Sequence, residues 1–414
     1  MSETKLSCVA CGASYPLWEL RYSCSCEGLL EVTQASSSKL GLPELFEKRL
    51  MSRKVWDRSG VWRFREGLFP LSETSYVSMP EGQTGYYEVP GLTRWAGVEH
   101  LAFKHEGENP SGSFKDRGMC AAVTAAKKLG VTTLACASTG NTSSSLAAYA
   151  ARAGLKAFVF LPAGKVSAGK MAQTLAYGAK VLAVKGDFDD AMQIVRSLAQ
   201  AGRVYMVNSL NPFRIEGQKT IIWELLQDRN WEAPDWILVP GGNLGNTSAF
   251  GKAIEEAYQW GWIQKKPRLA TIQAMGASPF FRSYERGFQS LEPMQAETVA
   301  TAIRIGHPVN FTRAVKAIEK TRGVVAAVSD AEIMAAKAAI DRSGLGCEPA
   351  SAASLAGLKQ LVAASIIRPE EDVVAILTGH VLKDTDAIMQ SQDLSCYDVD
   401  ADRASIEAVL DRLS

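Results

Sequence analysis

Between residues 115 and 240 short apolar runs alternate with amphipathic stretches, and this alternation limits what the 414-residue chain can fold into more than any other feature. The runs are VTTLACAS, KAFVFLP, KVLAVKG, RVYMVN and DWILVPGG, each of strand length, and the segments between them are long enough for helices. Strands that alternate with helices pair in parallel through right-handed crossovers. The rhythm returns in PRLATIQAMGA, in GVVAAVSDAEIMAAKAAIDRSG, in the helical EPASAASLAGLKQLV and in the strand DVVAILTGH. A chain of this length exceeds one hydrophobic core, so an α/β fold of two open parallel-sheet units is expected.

The expected division is a small cysteine-bearing segment over 1–35, an arm and first α/β unit over 36–205, a second α/β unit over 206–390 and a tail over 391–414. The polar stretch TQASSSKLGLPE reads as a linker or surface loop. Beyond it, Trp56, Trp62, Phe64 and Phe69 crowd into VWDRSGVWRFREGLFPL. No basic patch accompanies these rings, so they read as an arm covering a core and not as a nucleic-acid stacking surface.

Lysine and arginine number 45 against 44 acidic residues, which leaves no long-range field for nucleic acid or an acidic membrane face. No apolar run approaches the roughly 20 residues that span a bilayer, and no basic-then-apolar leader opens the sequence. A cytoplasmic protein with a small-molecule ligand is expected, with neither nucleic acid nor membrane as partner. Of eight cysteines, Cys120, Cys136, Cys347 and Cys396 are scattered through core-like sequence, while Cys8, Cys11, Cys24 and Cys26 cluster near the start.

Open α/β sheets collect ligands beyond the carboxyl ends of their strands. Three polar segments fall there: ASTGNTSSS, PGGNLGNTSAFGKA and LTGHVLKD. In the second, Gly242, Asn243, Leu244, Gly245 and Asn246 let backbone amides converge at a helix start, which suits a phosphate. The spacing is neither that of a Walker loop nor that of a dinucleotide fingerprint. In the first, Ser138, Thr139, Asn141 and Thr142 gather at another helix start, where they read either as ordinary N-cap residues or, being more than one cap needs, as donors that suit a carboxylate. Thr378 ends a buried strand, where its hydroxyl can face an unprotonated ring nitrogen. Lys115, in ENPSGSFKDRG, opens a helix against the sense of the helix dipole; a lysine that is partly desolvated there loses its proton readily and can form a Schiff base or act as a base.

Together ENPSGSFKDRG, ASTGNTSSSLAAYAARAG, VNSLNPFRIEGQKT, PGGNLGN, ATAIRIGHP, CEPASAAS and ILTGHVLKD resemble, in order, the fold-type-II pyridoxal-phosphate enzymes and among them the threonine synthases. The resemblance implies two sheet domains with pyridoxal 5'-phosphate between them. It implies that Lys115 holds the cofactor aldehyde, Asn141 meets the ring hydroxyl, Gly242 to Asn246 hold the cofactor phosphate and Thr378 meets the pyridine nitrogen. Ser138, Thr139 and Thr142 would take the substrate carboxylate, and Asn208, Ser209 and Arg214 the phosphate of a phosphoamino acid. The reaction so implied turns O-phospho-L-homoserine and water into L-threonine and phosphate. CVAC followed by CSC resembles the zinc ribbon of some relatives, with Cys8, Cys11, Cys24 and Cys26 as ligands of a structural zinc. Relatives are commonly homodimers, which is the expectation here.

The chain departs from the family at PEGQTGYYEV. Gln83 can still donate an amide to the substrate, but Gly85 stands where relatives have proline and is expected to loosen the turn, while Tyr86 and Tyr87 add bulk. His307, in RIGHP, reads as a surface residue near the cleft. Other readings on the same scaffold are a lyase acting on phosphoserine, as a cysteate synthase does, and a threonine-dehydratase-like deaminase. A reading of another class is a zinc-ribbon binding protein without catalysis.

Overall fold

The computed structural model describes residues 4–34, 39–72, 75–164, 168–389 and 397–413. Part of the expected linker, 35–38, and Cys396 lie outside them. The chain opens with β1 (Lys5–Cys8), β2 (Ser14–Pro16) and β3 (Leu30–Thr33), an antiparallel sheet in the order β2-β1-β3. Next come α1 (Leu42–Leu50) and the arm, in which Trp62, Phe64 and Phe69 are buried. Trp62 stacks on Tyr76 at 4.4 Å and meets the edge of Phe69 at 5.8 Å. Its indole N–H donates to the Val77 carbonyl at 3.0 Å, so the rings cover a core.

The chain continues through β4 (Tyr86–Glu88), α2 (Pro90–Ala96), β5 (His100–His105), α3 (Lys115–Lys128), β6 (Thr133–Ala137), α4 (Asn141–Ala153), β7 (Lys156–Pro162), α5 (Ala168–Ala176), β8 (Lys180–Val184), α6 (Phe188–Gln200) and β9 (Tyr205–Met206). It goes on through α7 (Pro212–Asp228), β10 (Trp236–Pro240), α8 (Gly245–Gln259), β11 (Arg268–Ala274), α9 (Pro279–Glu285), α10 (Phe311–Thr321), β12 (Val324–Val328), α11 (Asp330–Arg342), α12 (Pro349–Ala363), β13 (Asp372–Leu377), α13 (Thr385–Met389) and α14 (Arg403–Leu413). The apolar runs of the sequence become strands β6 to β13, although RVYMVN contributes only the two residues of β9.

A four-stranded parallel sheet has the order β8-β7-β6-β9. A six-stranded sheet has the order β12-β11-β10-β13-β5-β4, parallel except for β4. Alternate strand residues serve two faces. Ile237 and Val239 of β10 join Leu134 and Cys136 of β6 in one large core, while Trp236 and Leu238 face a second core under α11 and α12, and Ala135 and Ala137 a third under α6.

The sheet boundary does not follow the expected boundary at residue 205. β5 pairs with β13 in parallel, His100 opposite Asp372, so the larger sheet takes strands from both ends of the chain. HLAFKH, which carries Lys104 and His105, is not among the apolar runs of the sequence, yet Lys104 is fully buried. Its ammonium is satisfied by Asp228 at 2.6 Å, Glu224 at 2.9 Å and the Thr84 carbonyl at 2.6 Å.

Candidate active site

The turn before Lys115 is stitched to the end of β13. Phe114 N–H donates to the Thr378 carbonyl at 3.0 Å, and His380 N–H donates to the Gly112 carbonyl at 2.9 Å. Asp116 locks the same turn from within, accepting from Ser111 N–H and from the Ser145 hydroxyl of α4, each at 2.6 Å. Burial raises the Asp116 carboxyl to about 6. Lys115 therefore enters α3 from a rigid base. Its Nζ sits 3.9 Å from the Phe114 ring centre and makes no ion pair among the described residues. Burial lowers its pKa to about 7, the Arg214 charge adds to that shift, and Glu348 opposes it.

At the start of α4 the N-cap is Gly140, which brings no capping side chain. Ser138, Thr139 and Thr142 are half-buried around it, and the Ser138 hydroxyl accepts from Gly140 N–H at 3.3 Å. Asn141 is buried and donates its Nδ2 to Glu348, at 3.0 Å to Oε2 and 3.2 Å to Oε1. Thr378 Oγ1 lies 3.0 Å from Ser351 Oγ and 3.5 Å from Glu348 Oε1. Glu348 thus stands among Lys115, Asn141 and Thr378, and sequence reasoning missed it. The signal was present in CEPASAAS: a glutamate occupies the N-cap of α12, a position that favours shorter side chains, and it makes no cap bond there. Burial raises its pKa, against the lowering pull of Asn141, Lys383 and Lys115.

The β10–α8 connection is a tight cradle. Leu244 takes the left-handed conformation, φ 61°, at the N-cap of α8. A Cβ on Gly241 would come within 2.6 Å of Thr271, and one on Gly242 within 3.0 Å of the Ile303 backbone, so the loop accepts no larger residue. Asn246, only 5% exposed, leaves both amide atoms without a hydrogen-bond partner. A buried orphan amide beside converging backbone N–H groups at a helix start fits a phosphate.

Helices α3 and α7 touch through glycines, since a Cβ on Gly217 would overlap the Arg117 carbonyl at 2.0 Å. That contact brings Arg214 toward Lys115. Arg214 is 2% exposed, donates Nη1 to the Val207 carbonyl at 3.1 Å, leaves Nε without a partner and has no carboxylate partner among the described residues. Burial lowers its pKa to about 10. Asn208 differs from expectation. Its Oδ1 accepts from Ala137 N–H at 3.2 Å and its Nδ2 donates to the Ala137 carbonyl at 3.0 Å, so the amide extends the edge of β6 like a backbone unit and braces the turn. Ser209 is half-buried in that turn.

Gln83 is exposed, with φ 50°, and no side-chain hydrogen bond holds it among the described residues. The loop around it is not loose, contrary to the expectation from Gly85. Gly85 N–H donates to Glu108 Oε2 at 2.6 Å, its carbonyl accepts from His105 N–H at 3.0 Å, and a Cβ there would strike the Tyr87 ring at 2.2 Å. Tyr87 is tied in turn to Glu108 at 2.6 Å. Glu224 accepts from Gln83 N–H at 2.9 Å and Thr84 N–H at 3.1 Å. Although burial opposes it, the charges of Arg117, Lys104 and Arg63 hold the Glu224 carboxyl well below the usual range. His307 is exposed, as a surface residue should be.

Far from Lys115 in sequence, the thiols of Cys8, Cys11, Cys24 and Cys26 lie within 4.8 Å of one another. Cys8–Cys26, Cys11–Cys24 and Cys11–Cys26 are 3.6, 3.5 and 3.4 Å apart. Tetrahedral zinc with sulfur at about 2.3 Å has sulfur–sulfur edges of about 3.8 Å, so the set fits that ion.

The chain matches the family model described as pyridoxal-phosphate dependent enzyme over residues 77–379. It is 46% identical over 388 residues to the threonine synthase of Methanocaldococcus jannaschii, covering 93% of this chain and 94% of that one. The threonine synthase of Methanosarcina acetivorans is 45% identical over 388 residues, with 93% of each covered. Among solved structures, threonine synthase from Escherichia coli shares the fold with a TM-score of 0.69 at 16% identity, covering 99% of this chain and 100% of that one.

Proposed function

The chain belongs to the threonine synthase family of pyridoxal-phosphate-dependent enzymes, and from that premise we propose that it converts O-phospho-L-homoserine and water to L-threonine and phosphate at Lys115. The donor set suits the cofactor: an amine poised to lose its proton for an aldehyde, the Gly242–Asn246 cradle with its orphan amide for a phosphate, and the Thr378 hydroxyl for an unprotonated ring nitrogen. Bound there, pyridoxal 5'-phosphate supplies an electron sink that acidifies the carbon next to the substrate amine.

The protein's own groups do the rest. Lys115, titrating near 7 and mounted on a flexible stem, takes and returns protons along the substrate chain. Ser138, Thr139 and Thr142, with the amides of α4, hold the carboxylate. Ser209 and Arg214 hold the phosphate that leaves, and Asn208 keeps their turn in place through Ala137. The observation that carries the reading is Arg214, a buried guanidinium beside Lys115 that lacks an anion among the described residues. Leaving such a charge unpaired is costly, and a substrate phosphate pairs it. Incubating the purified protein with O-phospho-L-homoserine, and in parallel with O-phospho-L-serine, tests the proposal. Equal release of phosphate and threonine from the first is expected; no phosphate from it refutes the reading.

We further propose that the four clustered cysteines hold a structural zinc, which elemental analysis of the purified protein would detect at about one ion per chain. A cytoplasmic homodimer is proposed on family grounds; no helix of the described residues is long and apolar enough to cross a membrane. Light scattering checks the assembly.

A further inference from the structure

Asn310 occupies the N-cap of α10, where an asparagine side chain normally accepts a hydrogen bond from the first helical amides. It makes no such bond. The residue is fully buried, and its amide is turned toward two segments that approach from different crossovers. Nδ2 donates to the Asn243 carbonyl at 3.1 Å and to the Ser209 carbonyl at 3.3 Å, while Oδ1 accepts from Arg313 Nη1 at 2.7 Å. The Asn310 backbone N–H also donates to the Asn243 carbonyl, at 3.3 Å. Arg313, 5% exposed, reaches the other way and donates Nη2 to the carbonyl of Leu30, on β3 of the cysteine-bearing sheet.

The Ser209 turn lies between β9 and α7 and the Asn243 loop between β10 and α8, so no local backbone geometry fixes their separation. Two phosphates held in one cleft repel, and the distance between their sites affects how well both are bound. An amide nitrogen with two hydrogens at a set angle is a rigid spacer for that distance.

We infer that Asn310, clamped by Arg313 against the cysteine-bearing sheet, is a positioning residue that sets the spacing between the Ser209 turn and the Asn243 loop and thereby the affinity of the cleft for phosphate. The inference rests on the proposed function only for the assignment of substrate phosphate to the first segment and cofactor phosphate to the second.

The test uses the holoenzyme of wild type, Asn310→Ala and Arg313→Met. Four quantities are measured: KM and kcat for O-phospho-L-homoserine, the inhibition constant of inorganic phosphate, the dissociation constant of pyridoxal 5'-phosphate by fluorescence, and Tm. Asn310→Ala is expected to raise KM and the phosphate inhibition constant about tenfold, equivalent to about 1.4 kcal/mol, with kcat within about threefold of wild type. Weaker cofactor binding is expected as well. Arg313→Met, whose side chain contacts neither phosphate segment, should move the same constants in the same direction by a smaller factor, and it decides the matter alone if Asn310→Ala does not fold. A fall in Tm with KM, phosphate inhibition and cofactor affinity unchanged overturns the inference, because a merely structural residue would behave so. If wild type fails to release phosphate from O-phospho-L-homoserine, the proposed function falls, and equilibrium binding of inorganic phosphate and of the cofactor still judges Asn310.

Discussion

Lys115 should behave as an amine with a pKa near 7, not near its ordinary 10.5, and this can be read from how fast the cofactor-free protein captures pyridoxal 5'-phosphate. Only the neutral amine attacks an aldehyde. At about pH 8 a group titrating near 7 is about 90% neutral, whereas one titrating at 10.5 is about 0.3% neutral, a difference of about 300-fold in reactive amine. Burial is the largest cause of the shift, the Arg214 charge adds to it and Glu348 opposes it. Arg214→Met should therefore move the midpoint up, and Glu348→Gln should move it down. The assay removes the cofactor, mixes the protein with pyridoxal 5'-phosphate between about pH 6 and 10, and follows the visible absorbance of the lysine adduct. Taking variant-to-wild-type ratios at each pH cancels the titration of the cofactor itself. A wild-type rate that flattens above about pH 8, with the two variants displaced in opposite directions, is expected. A rate that climbs tenfold per pH unit up to about pH 10 refutes the reasoning.

The same shift has a sign for stability. Between about pH 7 and 10.5 the unfolded chain carries a proton on Lys115 that the folded cofactor-free protein lacks, so this residue's contribution to stability rises with pH through that window, as paired melts near its two ends will show. Arg214→Met should raise KM for the phosphorylated substrate by about 10- to 150-fold, from the roughly 1.5–3 kcal/mol of a charge-assisted hydrogen bond, and leave kcat less affected. Gly85→Pro, which restores the proline of relatives, should destabilise the protein by about 1–3 kcal/mol, because it removes the N–H that pairs with Glu108 and puts ring atoms where Tyr87 lies; an unchanged Tm would contradict this. Glu224→Gln should cost about 3–5 kcal/mol in denaturant unfolding, since it leaves Arg117, Lys104 and Arg63 around a neutral group.

Much of the sheet architecture was legible because apolar runs such as KAFVFLP and DVVAILTGH admit one reading: a strand buried on both faces has no place for polar side chains. The segments PGGNLGN and LTGH stood out for a related reason, since polar and glycine-rich sequence directly after such a strand lies at the end where an open sheet gathers ligands. HLAFKH escaped notice because its lysine becomes a core residue only when Glu224 and Asp228, more than a hundred positions away, supply the counter-charge. Asn208 illustrates the converse: an asparagine that suits a phosphate by type is engaged by the backbone of Ala137.

The sequence by itself determined that this chain builds parallel α/β sheets with a glycine cradle and a threonine at strand ends and a lysine at a helix start, because strand burial and backbone convergence are local consequences of residue type. Only the tertiary structure decided that β5 crosses into the larger sheet, that Gly85 tightens its loop, that Glu348 meets Asn141 and Thr378 and that Asn310 joins two loops instead of capping its helix. Each of those depends on which distant polar group ends up within hydrogen-bond reach once the core has closed. Buried donors and acceptors must be paired, but the sequence does not name the partner.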